Sequence, residues 1–74
     1  MVVKIANRVL RVDQQEYQRL LKMASELVPF GVYAVIKQDY TELCNDRCDS
    51  ITQLKQKIRM YRKAGCKVLS NGRI

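Results

Sequence analysis

Two helix-start signals, each followed by a single apolar stripe, constrain this chain more than any other feature. Asp13 with Glu16, and Ser50 with Gln53, stand at capping-box spacing: the first side chain accepts from exposed amides of the opening turn and the second reaches back. After Asp13, the residues Tyr17, Leu20, Leu21, Ala24, Leu27 and Val28 recur at intervals of three and four, which makes one face of a helix apolar. Pro29 disfavours helical geometry at Val28, and Gly31 supplies an exit. After Ser50, with Asp49 as a competing cap, the pattern predicts a second helix to about Ala64. Ile51, Leu54, Ile58 and Tyr61 form its buried stripe, and Gly65 sits where a left-handed stop is expected.

The segments around these helices read as strands. Val2 to Val12 is rich in β-branched and aliphatic residues, but Val3, Ile5 and Val9 fall on odd positions while Leu10 and Val12 fall on even ones. A bulge or tight hairpin turn near Asn7 reconciles the two sets, and Asn tolerates the positive φ that such a kink requires. Val32 to Lys37 is a second strand and Thr41 to Cys44 a short third one, joined by a turn at Gln38-Asp39-Tyr40. Asn45 to Asp49 reads as a loop. Cys66 to Leu69 is the last strand, ended by the turn signal Ser70-Asn71-Gly72. The order β-α-β-β-α-β implies an α+β fold, a ferredoxin-like two-layer sandwich with both helices on one face of an antiparallel sheet. A winged-helix domain needs a third helix, and only two are found.

At 74 residues the chain is long enough for one small domain, 1–74, whose core is modest because only about 60% of the unfolded surface can be buried at this size. Self-association is a natural supplement to such a core. Lys4, Arg8 and Arg11 interrupt the N-terminal apolar residues before a signal-peptide run can form, and no stretch approaches the roughly 18 apolar residues of a membrane span. A cytoplasmic location, with no membrane partner, is therefore expected. Three cysteines, Cys44, Cys48 and Cys66, are an odd number and favour free thiols.

Charge is distributed unevenly. From Ser50 to Ile74 the chain carries Lys55, Lys57, Arg59, Arg62, Lys63, Lys67 and Arg73 with no Asp or Glu, which accounts for the whole net charge of +7. The first 49 residues balance seven basic against seven acidic groups. At about 100° per residue, Lys55, Arg59, Arg62 and Lys63 share one flank of the second helix, and Lys57 falls on the opposite flank. A row of this kind can follow a phosphate backbone, each cation releasing a condensed counterion, although an exposed charged flank also serves plain solubility. Base stacking of the RNA-recognition type is not expected, since the first strand carries no aromatic residue.

A second surface is suggested by Val32 to Ile36, which is apolar on both faces where a half-exposed sheet alternates. With Val32, Ala34 and Ile36 inward, Tyr33 and Val35 point outward and form with Leu43 an open apolar patch of the kind that marks protein interfaces. The acidic segment Asp39 to Asp49 adds a complementary edge for the basic helix of a neighbour.

Catalysis is not indicated. The chain has no His, and Cys44 and Cys48 are three residues apart rather than two. Three cysteines leave a four-cysteine zinc site one ligand short, and no phosphate-binding glycine loop occurs. No catalytic residue, metal or cofactor is expected. The leading expectation is a non-enzymatic binding module that contacts nucleic acid, or an acidic protein surface, through Lys55, Arg59, Arg62 and Lys63. The alternative is a protein-interaction module, a homodimer or a small inhibitor or adaptor, that uses Tyr33, Val35 and Leu43.

Overall fold

The structure, a computed structural model, describes residues 1–72; Arg73 of the basic segment lies outside them. Five strands and two helices follow one another as β1 (Val2–Ile5), β2 (Arg8–Arg11), α1 (Gln14–Leu27), β3 (Gly31–Ile36), β4 (Thr41–Arg47), α2 (Ile51–Lys63) and β5 (Lys67–Asn71). The strands form one mixed sheet in the order β2-β1-β4-β3-β5, with β1 and β4 parallel and every other neighbouring pair antiparallel.

The protein is thus α+β, but the ferredoxin-like order is not formed. The segment Val2 to Val12 is a hairpin of two strands, Ile5 facing Arg8 across the two-residue turn Ala6-Asn7. The positive φ falls on Ala6, at 53°, and not on Asn7. Because β2 occupies the outer edge of β1, the last strand pairs with β3 at the far edge instead. β4 runs on through Asn45 to Arg47, where a loop was expected, because Asp46 and Arg47 pair with Val32 and Gly31. Gly31 is required at that crossing: its φ is +144°, and a Cβ would run into the Asp46 carbonyl oxygen.

The two helices cover opposite faces of the sheet. Side chains of β4 alternate between them: Thr41 meets the Tyr17 hydroxyl at 3.0 Å and Arg47 donates to the Leu27 carbonyl at 2.9 Å, both on the α1 side. Asp46 meets Lys57 and Tyr61, and Cys44 and Cys48 pack into the α2 core. Strand direction explains the arrangement. The crossovers β2-α1-β3 and β4-α2-β5 advance the same way across the sheet on strands of opposite direction, so right-handed connections place their helices on opposite sides.

Two small cores result. Val32, Val35, Cys48, Leu54 and Ile58 lie under α2, with Phe30, Tyr61, Cys66 and Val68 around them. Val3, Val12, Ala24, Val28 and Ala34 are buried on the α1 side. A register shift between Val32 and Ala34 turns Val32 and Val35 to the same face, which is why β3 is apolar on both sides. A strand covered by helices on two faces has no reason to alternate.

At the far edge, Ser70 and Asn71 extend β5 where a turn was expected, pairing with Val32 and Gly31. The Asn71 amide donates to the Ser25 carbonyl at 2.9 Å, the Ser25 hydroxyl at 2.8 Å and the Val28 carbonyl at 3.0 Å. These bonds satisfy carbonyls that the end of α1 leaves open.

Candidate nucleic-acid interface

α2 is fixed at both ends by local chemistry. The Ser50 hydroxyl accepts the Gln53 amide at 3.1 Å, and Gln53 Oε1 accepts the Asp49 amide at 2.7 Å, so the reciprocal bond reaches one residue beyond the cap. At the other end, the Cys66 amide donates to the Tyr61 carbonyl and the Gly65 amide to that of Arg62, each at 3.0 Å, with Gly65 at φ +86°. This pair of bonds is a Schellman stop, and Tyr61 and Cys66 supply its apolar contact.

Leu54 and Ile58 are buried and Tyr61 half-buried, whereas Ile51 is 44% exposed. Ile51, the first residue of α2, thus leaves the buried stripe. Lys57 Nζ lies 3.2 Å from Asp46 Oδ1, and the Tyr61 hydroxyl donates to Asp46 Oδ2 at 3.2 Å. That flank is turned toward β4 and the middle of the sheet. Lys55, Arg59 and Arg62 are on the other flank, above the β5 edge, and with Ile58 they line one shallow groove. Lys63 is exposed on the same side of the helix, outside that lining. None of the four makes an ion pair with a carboxylate of the described residues.

Position along the helix separates these cations. Arg62 and Lys63 lie in the last turn, where the negative end of the helix dipole favours them. Lys55 and Arg59 have no such local compensation. The span from Lys55 to Arg62 is about 10 Å at 1.5 Å per residue.

The sheet patch is not assembled. Val35 is 1% exposed beneath α2, Tyr33 is half-buried at the register shift, and Leu43 is half-buried on the α1 side. The premise of an uncovered face at β3 fails because each face carries a helix. The three thiols are free and belong to or border the α2 core, where burial, reinforced by nearby carboxylates, pushes Cys44 and Cys48 above the usual thiol range. Thiols held protonated in this way are poor nucleophiles. Among the described residues, no three His, Cys, Asp or Glu side chains stand close enough together to hold a metal ion. Burial, with Cys44 and the Asp46 carboxylate nearby, pushes Tyr61 up to about 12.

Periodicity assigns Leu27 to the buried stripe of α1 and leaves Met23 out of it, but both side chains lie outside the core. Met23 is 58% exposed and Leu27 59% exposed. With Leu20 they border an apolar cleft of about 390 Å³ whose floor includes Ile5, Ala24 and Leu43. No helix of the described residues is long and apolar enough to cross a membrane.

No protein-family model, curated protein or solved structure matches the chain.

Proposed function

We propose that the protein is a non-enzymatic module that binds nucleic acid through phosphates, using Lys55, Arg59, Arg62 and Lys63 on the outer flank of α2. The observation that carries this reading is the contrast within one helix: Lys57 has Asp46, while the four cations of the other flank have no described carboxylate. Each neutralised phosphate releases counterions, so affinity reports the number of contacts through its salt dependence. For four contacts on duplex DNA, log K falls with log salt at a slope of about −3.6. Lys55→Gln and Arg59→Gln each flatten the slope by about 0.9, and Lys57→Gln leaves it unchanged. Absence of binding to DNA, RNA or heparin at low salt overturns the reading. Binding confined to an acidic protein partner, with the same loss in the Lys55 and Arg59 variants, assigns the flank to that partner instead.

A further inference from the structure

We propose that the outer flank of α1 is a self-complementary dimer face on which a second copy of this chain docks antiparallel. The proposal is independent of the nucleic-acid reading, because α1 and α2 occupy opposite faces of the sheet. Leu20, Met23 and Leu27 have the 3-4 spacing of a heptad seam. Taking Tyr17 as zero, they fall at about 300°, 240° and 280°, on the side of α1 that overhangs β1. Arg19 and Glu26, at about 200° and 180°, border that seam on its solvent side, in equivalent heptad positions.

Antiparallel pairing about a two-fold axis at Met23 matches residues whose numbers sum to about 46. Met23 then faces Met23 of the second copy, and Leu20 faces Leu27. Arg19 faces Glu26, and the same ion pair recurs across the axis, as isologous symmetry demands. One helix thus carries both halves of every contact. The apolar cleft between α1 and β1 gives the incoming Met23 or Leu27 side chain a concave seat, and Met adapts well to such gaps.

Charge favours this face over the α2 face. α1 carries Glu16 and Glu26 against Arg19 and Lys22 and is neutral, whereas α2 carries five cations and no acid. Two chains of net charge +7 repel least when their α2 helices point away from one another, and docking through α1 arranges this.

Sedimentation over a concentration series tests the proposal, with species near 8.6 kDa and twice that mass resolved. The wild-type chain is expected to dimerise reversibly. Met23→Glu gives a folded monomer by circular dichroism. Arg19→Glu places acid opposite acid twice and weakens the dimer about tenfold or more, and adding Glu26→Arg restores it. Under mild oxidant Met23→Cys is captured as a covalent dimer, while Gln18→Cys on the far side of α1 behaves like wild type. A wild-type chain that stays monomeric at millimolar concentration overturns the proposal. So does a dimer that survives Met23→Glu and both charge changes.

Discussion

α1 and α2 are built alike and used differently. Each is capped by a side-chain oxygen that accepts the amide three residues on, each packs an apolar stripe on the same sheet, and each closes a crossover. They differ in what the rest of the surface carries. α2 buries Leu54 and Ile58 and presents unopposed cations, whereas α1 buries little beyond Ala24, keeps Met23 and Leu27 outside and balances its charges. The lesson is that an amphipathic pattern fixes which helices form, while stripe width and charge balance decide what the leftover surface can meet.

The largest expected effect tests that difference directly. Leu54→Ala removes a fully buried side chain under α2 and lowers unfolding stability by about 2–5 kcal/mol in a urea titration. Leu27→Ala on the overhanging flank of α1 changes the dilute monomer by less than about 0.5 kcal/mol. Comparable losses at the two sites would break the comparison.

The caps come next, and here the two helices should behave alike. Asp13→Ala and Ser50→Ala each remove an acceptor for an amide of the first turn and cost about 1 kcal/mol by chemical denaturation. A much larger loss at one of them would show that its helix depends on the cap more than on packing.

These two caps were also the most legible part of the chain, because a cap is a local signal spanning four residues. Strand order is not local. The parity break within Val2 to Val12 leaves a bulge and a tight hairpin turn near Asn7 both open, since the turn lacks the glycine that advertises a hairpin, and the outer place beside β1 is decided only when β2 takes it. That single strand displaces β5 to the other edge and converts the expected two-layer sandwich into a sheet with a helix on each side. The shared flank of Lys55, Arg59 and Arg62 was legible because it depends on helical geometry alone. The contacts that tie Lys57 and Tyr61 of α2 to Asp46 of β4 are invisible in sequence. The Val35 face was misread for the same reason: burial of a strand on two faces is a property of what crosses it.

A smaller effect is confined to alkaline solution. Tyr61 is held up to about 12 against about 10 in an unfolded chain, so the stability that its neutral form contributes is complete below pH 10 and is lost as pH rises from 10 through 12. Thermal unfolding midpoints should therefore fall more steeply over that window in the wild-type chain than in Tyr61→Phe. Ultraviolet titration should show one of the four tyrosines ionising last. Equal slopes in the two chains would show that ionisation of Tyr61 does not drive the alkaline loss of stability.

The smallest change acts at the hairpin. Ala6 holds a φ of 53° that costs an L-residue about 1–2 kcal/mol, so Ala6→Gly should gain about 0.5 kcal/mol once the greater freedom of the unfolded glycine is subtracted. A loss would mean that the Ala6 side chain, which lines the cleft beside α1, contributes more than its backbone strain removes.

The three bonds from the Asn71 amide also set an order of events. They join positions 46 and 43 residues apart, so the Ser25 and Val28 carbonyls at the exit of α1 lack this partner until synthesis has passed through α2 and completed β5. A growing chain can wind its first helix early and hold it through Thr41 and Arg47 of β4, but these last bonds wait for β5. Contacts of such long sequence separation slow folding, and here one side chain near the far end acts as the latch.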